Sequence, residues 1–141
     1  MLGWTARCAF LLVVVCLQPL AAQAETLKFT ATLSPAATVP PTASNASGAG
    51  EFSYKSDTGQ LEFTVLYDNM SGSPTEGYIR GPASPGANGP AIVGFPALQS
   101  PISGTATLTN DQAAALQAGQ LYVDIRTAAH PAGEIRGQIG R

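Results

Sequence analysis

Seven polar side chains stand at alternating positions in three segments of the chain, and their types suit ligand binding. They are Tyr78, Arg80, Tyr122, Asp124, Arg126, Glu134 and Arg136. Residues two apart in a β-strand face the same side of a sheet, so each segment is expected to present its polar members on one face. Arginine binds carboxylate and phosphate groups, and tyrosine offers a flat ring with a polar end. The pattern predicts a face for an anionic or hydroxyl-rich ligand, with a solvated sheet face braced by cross-strand ion pairs as the alternative.

The last two of these segments, 120–126 and 133–139, are expected to pair as an antiparallel hairpin. The predicted register places Arg126 opposite Glu134, Asp124 opposite Arg136, and Tyr122 opposite Gln138. Because Arg80 has no comparably placed acid beyond Glu76, we expect Arg80 and Tyr78 to contact the ligand. Glu134 and Arg136 are expected mainly to stabilise the hairpin.

Catalytic or metal chemistry has few candidate residues in this sequence. His130 is the only histidine, and the two cysteines, Cys8 and Cys16, lie near the start of the chain. A metal site needs several convergent ligands, and catalysis by a Ser/His/Asp set would also need His130 and lacks a G-x-S-x-G motif. A carboxylate pair among the nine acids stays open, because spacing in a β-fold does not exclude it. We therefore expect a non-catalytic protein with no cofactor and no bound metal.

Alternation of apolar and polar residues with period two predicts the antiparallel sheet that positions these side chains. The alternation is strongest at 27–33, 51–55 and 61–68, with a hairpin turn expected at 56–59. Segments 34–47 and 81–90 are rich in proline and glycine and are predicted loops. A capping box that begins at Thr109 and a glycine stop at position 119 predict one short helix. The fold class is therefore all-β, an antiparallel β-sandwich or Greek-key barrel of about seven to nine strands with one short helix.

The first 24 residues have the pattern of a secretory signal peptide. An arginine precedes an apolar run over 8–17, and residues 22–24 fit a cleavage site. A membrane span needs ~20 apolar residues, so an uncleaved anchor is a weaker alternative, as is a lipid anchor at Cys16. Cleavage would leave residues 25–141 as a single domain, periplasmic or secreted, without a membrane span.

The charge of this expected mature chain bears on its partners. Six basic residues remain against nine acidic ones, which gives a net charge of −3. No basic stripe or basic amphipathic helix is present, which argues against nucleic acid and acidic membrane surfaces as ligands.

Three stretches of sequence motifs follow one another along most of the chain. The first is AATVPP at 36–41 with GAGEF at 48–52, and the second is GYIRGPA at 77–83 with NGP at 88–90. The third runs from AGQLYV at 118–123 to HPAGEIRGQ at 130–138. Together they resemble the CHRD domain, the module named after the chordin proteins.

The resemblance implies an extracellular module, since CHRD domains occur in extracellular proteins and, in chordin, belong to a binder of secreted growth factors. The chain departs from the family at Tyr78-Ile79-Arg80, where the family usually shows His-x-His, and at Arg126, where it shows histidine before threonine. If those histidines bind metal in relatives, as the HxH motif does in copper–zinc superoxide dismutases, this chain lacks the corresponding ligands.

The leading hypothesis is an exported, non-catalytic binding module of CHRD type, whose partner is a protein or a cell-envelope component. The competing hypothesis is a metal-binding or redox protein of superoxide-dismutase-like build, with the usual family histidines missing. A structural matrix component is a third possibility. The oligomeric state stays open at this stage.

Overall fold

The computed structural model describes residues 13–18 and 24–141. Residues 1–12 and 19–23 lie outside the described residues, and they include most of the predicted signal peptide and two of the three residues of the predicted cleavage site. Within the described part of the chain, no helix is long and apolar enough to cross a membrane.

Within residues 13–18 and 24–141, the structure has eight strands and one α-helix. They are β1 (Thr26–Leu33), β2 (Ser47–Lys55), β3 (Gln60–Asp68), β4 (Pro74–Arg80), β5 (Ala91–Gly94), β6 (Ile102–Thr107), α1 (Asn110–Gln117), β7 (Tyr122–Thr127) and β8 (Ile135–Gly140). A short 3-10 helix, Pro35–Ala37, follows β1.

All strand pairs are antiparallel, and the strands form one sheet in the order β5-β4-β7-β8-β1-β2-β3-β6. The sheet curls into a nearly closed barrel, so the two edge strands approach each other. Phe95, just after β5, packs against Phe63 of β3 with ring centroids 5.2 Å apart. The predicted all-β fold is therefore confirmed, with eight strands and one α-helix. The last strand, β8, lies between β7 and β1 and joins the two halves of the sheet.

Apolar side chains from alternate positions fill the interior of this sheet. In β3, for example, Leu61, Phe63 and Val65 are at most 3 % exposed, while their neighbours in sequence point outward. Burial of such side chains is the main favourable contribution to folding of a domain without disulfides. Close approach of β8 to β1 depends on Gly137, because a Cβ atom there would lie 2.4 Å from the carbonyl oxygen of Thr32.

The helix begins and ends where the sequence motifs predict. The Thr109 hydroxyl accepts a hydrogen bond from the Gln112 backbone N–H at 3.2 Å. The Gln112 side chain in turn accepts one from the Thr109 backbone N–H at 3.0 Å, which completes the capping box. Gly119 ends the helix with φ +74°, a conformation that glycine adopts without strain.

Loops are found at both predicted places, although 34–47 contains the 3-10 helix Pro35–Ala37 and its last residue begins β2. The second of these loops shapes the surface. Residues 81–90 form the connection between β4 and β5 and contain no regular structure. This β4–β5 loop lies against the outer face of β7 and β8. It donates a hydrogen bond to a side chain of β7 and accepts hydrogen bonds from side chains of β8. The loop therefore covers part of the face that carries the candidate residues.

Candidate functional site

The outer face of β4, β7 and β8 carries most of the predicted site residues in three rows. Pairing of the strands sets the rows as Glu76–Arg126, Tyr78–Asp124–Arg136 and Arg80–Tyr122–Gln138. The predicted register of the β7–β8 hairpin, with Asp124 opposite Arg136 and Tyr122 opposite Gln138, is confirmed.

The predicted pairing of Arg126 with Glu134 is wrong. Arg126 donates from Nε to Oδ2 of Asp124 at 2.8 Å, and its Nη1 lies 3.7 Å from a carboxylate oxygen of Glu76. Strand β8 begins only at Ile135, and Gly133, with φ +122°, turns the chain just before it. Glu134 therefore does not continue the alternation of β8.

Glu134 instead lies in the turn before β8 and holds it to the turn that contains Ser71, and we call this set of buried hydrogen bonds the latch. Its side chain is fully buried and accepts hydrogen bonds from the backbone N–H of Ser71 at 3.0 Å, from the Ser71 hydroxyl, and from the Thr127 hydroxyl at 3.1 Å. The Nε2 atom of His130 lies 3.6 Å from the same carboxylate. Burial works to raise the pKa of Glu134, but the hydrogen bonds from Ser71 and Thr127 outweigh it, so the pKa lies below its ordinary value.

Arg136 holds the β4–β5 loop against the sheet. The residue is only 2 % exposed. Its guanidinium donates hydrogen bonds to the carbonyl oxygens of Ala87 at 2.7 Å and Ser84 at 3.2 Å. It also donates to the side chain of Gln138 at 2.8 Å. The guanidinium carbon stacks 3.6 Å from the centre of the Tyr122 ring, a cation–π contact. The predicted ion pair of Arg136 with Asp124 is therefore replaced by hydrogen bonds to loop carbonyls.

Tyr122 and Asp124 are both buried, Tyr122 beneath the same loop and Asp124 beside Arg126 and Gly133. The Tyr122 hydroxyl accepts a hydrogen bond from the Gly89 backbone N–H at 2.9 Å, and Asp124 is 4 % exposed. Burial raises the pKa of the Asp124 carboxyl, although its hydrogen bond with Arg126 acts in the opposite direction. A side chain at position 133 would meet this carboxylate, since a Cβ atom there would lie 2.5 Å from Oδ1. The interpretation as a solvated sheet face is wrong for this half of the face.

The remaining three residues, Tyr78, Arg80 and Arg126, are only half-buried, and we call them the open face. Arg80 donates from Nε to the Gly89 carbonyl oxygen at 3.0 Å. Within residues 13–18 and 24–141, the two terminal nitrogens of Arg80 and the Tyr78 hydroxyl have no hydrogen-bond partner. The guanidinium carbons of Arg80 and Arg126 lie 5.8 and 5.9 Å from the centre of the Tyr78 ring.

Sequence reasoning missed the residues that divide the face into covered and open parts. These are Ser84, Ala87 and Gly89, whose backbone carbonyl groups accept hydrogen bonds from the arginines of the face. The sequence shows only that the three residues belong to a loop. The latch of Ser71 with Glu134 was also missed. Its one signal in the sequence is Gly133, a residue type that often interrupts a strand.

The open face lies where the family resemblance expects histidines, at positions 78, 80 and 126. An arginine donates hydrogen bonds but accepts none, so these positions present positive charge and a phenol. Among the residues that the structure describes, no group of three or more His, Cys, Asp or Glu side chains is placed to hold a metal ion. The chemistry of the open face therefore suits an anion better than a metal ion.

The fold and this face together define a small antiparallel β-domain whose candidate surface site lies on strands and is held in part by one long loop. The family model for the CHRD domain matches residues 29–139, from β1 to β8. The chain therefore belongs to the CHRD domain family. No curated protein and no solved structure shows significant similarity to it.

Proposed function

We propose that this protein is an exported, non-catalytic module of CHRD type that binds a protein or a cell-envelope component through the open face. The observation that carries the proposal is the contrast between Arg80 and Arg136. Both terminal nitrogens of Arg136 donate hydrogen bonds to groups of its own chain. Arg80 donates through Nε, and both of its terminal nitrogens are available to a partner.

The seven predicted site residues divide into two roles in this proposal. Tyr78, Arg80 and Arg126 contact the partner. The other four position them: Tyr122 accepts a hydrogen bond from Nε of Arg80, Asp124 binds Arg126, Arg136 anchors the β4–β5 loop, and Glu134 secures the turn before β8.

The chemistry of the open face supports binding over catalysis. An arginine stays protonated throughout the physiological pH range, and a general acid or base works best with a pKa near the operating pH. A guanidinium beside a phenol ring holds and orients an anionic group. Export is supported by the signal-like pattern of residues 1–24 and by membership of a family named after secreted proteins.

The experiment compares retention of partners on the immobilised protein. An envelope fraction and the secreted proteins of the producing cells are passed over wild type, Arg80→Ala, Tyr78→Ala and Lys28→Ala. Lys28 lies exposed on β1, away from the face, so its variant matches the loss of one positive charge. Loss of a charge-assisted hydrogen bond should weaken retention about tenfold or more in Arg80→Ala.

Lys28→Ala should retain the partner as well as wild type does, and all variants should keep the wild-type circular dichroism spectrum. Equal retention by Arg80→Ala, Tyr78→Ala and wild type would show that the partner binds elsewhere.

A further inference from the structure

The outer face of β4, β7 and β8 carries more positive charge than its own carboxylates balance. The guanidinium groups of Arg80, Arg126 and Arg136 all act electrostatically on the Asp124 carboxylate. Glu76 is the second carboxylate of the group and lies 3.7 Å from Arg126. Three arginines against two acids leave one positive charge.

The unbalanced charge lies at Arg80. Arg126 is next to both acids, since it contacts Asp124 at 2.8 Å and Glu76 at 3.7 Å. Arg136 is buried beneath loop carbonyls, which carry the negative ends of their dipoles. Within the part of the chain that the structure describes, Arg80 forms no ion pair.

The Arg80 guanidinium is also held in place before any ligand arrives. Its Nε lies 3.0 Å from the Gly89 carbonyl oxygen and 3.3 Å from the Tyr122 hydroxyl. The Tyr122 hydroxyl is itself hydrogen-bonded to the Gly89 backbone N–H and carbonyl groups. This leaves the end of the guanidinium with two parallel N–H groups, the geometry that binds the two oxygens of one carboxylate. Preorganised groups lose less entropy on binding than flexible ones do.

Tyr78 lies beside this end of Arg80 and next to Arg126. Its ring centre is less than 6 Å from both guanidinium carbons. Its hydroxyl has no hydrogen-bond partner within residues 13–18 and 24–141, so it is available as a donor. A phenol donor beside two guanidinium groups adds a third attraction for an anionic oxygen.

We propose that the open face binds a single carboxylate group of the partner, with Arg80 as the bidentate donor, Tyr78 as the hydroxyl donor and Arg126 as the second charge. This inference rests on the proposed function and specifies the chemistry of the partner. A singly charged carboxylate balances the one surplus positive charge. A doubly charged phosphate would exceed that charge and would place its excess beside Asp124, whose ionisation burial already opposes.

The test is a titration of the purified protein, followed by ¹H–¹⁵N spectra of the arginine Nε–Hε groups at constant ionic strength. Four probes are used: N-acetylglutamate α-amide for an acidic side chain, glucuronate for an acidic sugar, inorganic phosphate, and N-acetylglutamine α-amide as the neutral match. The signals of Arg80 and Arg126 should shift saturably with at least one carboxylate. The dissociation constant should be of the order of millimolar, as expected for a ligand of few atoms. The signal of Arg136 should stay unchanged.

Three variants sharpen the result. Arg80→Gln should abolish the saturable shift, Tyr78→Phe should weaken binding about threefold to tenfold, and Lys28→Gln should bind as wild type does. The carboxylate that binds more tightly identifies its source as an acidic peptide or an acidic sugar. Tighter binding of phosphate than of both carboxylates, or equal shifts with the neutral probe, would overturn the inference.

The two proposals fail in different ways. If no carboxylate probe shifts the Arg80 signal while Arg80→Ala still loses its partner, the carboxylate inference is wrong and the binding function stands. If the probes bind but the protein retains no partner, the carboxylate site stands and the proposed function is wrong.

Discussion

Replacing Glu134 with glutamine removes one charge from a fully buried carboxylate and leaves the size of the side chain almost unchanged. In the wild type, this carboxylate accepts hydrogen bonds from the Ser71 backbone N–H, the Ser71 hydroxyl and the Thr127 hydroxyl. Glutamine keeps one accepting oxygen, but its NH₂ group would face one of these donors. We expect Glu134→Gln to lower the free energy of unfolding by about 1–3 kcal/mol at pH 7, the range for one buried donor left without an acceptor.

The assay is urea unfolding followed by circular dichroism, with Glu62→Gln as the matched control. Glu62 forms an exposed ion pair with Lys55 at 2.9 Å, and exposed pairs of this kind contribute little to stability because solvent screens them. A thermal melt should agree, since a domain of this size loses about 3–6 °C in Tm for each kcal/mol.

The difference in stability between wild type and Glu134→Gln should also depend on pH, in a direction that the pKa of Glu134 sets. The folded-state pKa of Glu134 lies below its ordinary value of 4.5, so the folded protein binds this proton less readily than the unfolded chain does. The stability that the ionised carboxylate contributes is therefore complete above pH 4.5 and is lost as the pH falls through the folded-state pKa. The difference between wild type and Glu134→Gln should narrow over that acidic range. A constant difference down to the acid limit, or a Glu134→Gln midpoint equal to that of Glu62→Gln at pH 7, would refute the assignment of Glu134 as a latch.

Three further predictions follow from the fold. Thr109→Ala should lower stability by about 1 kcal/mol because it removes the helix cap, and an unchanged urea midpoint would contradict the role of the capping box. Arg136→Ala should lower stability by about 2–4 kcal/mol and speed hydrogen exchange in residues 81–90, whereas Arg141→Ala, at an exposed position, should do neither. The exported protein should begin at Glu25, and an intact mass that retains residues 1–24, or shows an acyl group on Cys16, would rule out the predicted cleavage.

The parts of the structure that were predictable from sequence are those governed by local periodicity. The alternation of Leu61, Phe63 and Val65 correctly indicated a strand with one buried face, because strand side chains alternate by covalent geometry. The β7–β8 register was predictable for the same reason, since a shift by one residue would have exposed Ile125 and Ile135. The capping box around Thr109 involves only neighbours in sequence.

The parts that were not predictable depend on loop conformation and on contacts distant in sequence. The role of Arg136 depends on the direction of two carbonyl groups about 50 residues away, and a proline- and glycine-rich sequence does not specify such directions. The error at Glu134 arose from one residue, since the positive φ of Gly133 ended the alternation that the prediction had continued. The loop contacts of Arg136 decide which half of the face is accessible, and so the candidate site was only partly predictable.

The position of β8 between β7 and β1 has a consequence for the order in which the molecule assembles. As the chain emerges from the ribosome, β1, β2, β3 and β6 are able to pair among themselves, and β4, β5 and β7 among themselves. The two groups share no strand pairing until β8 has been synthesised, and the same strand supplies Arg136 to the β4–β5 loop. Closure of the sheet and organisation of the open face therefore occur together in one late step. A nascent chain that lacks β8 does not have the complete open face.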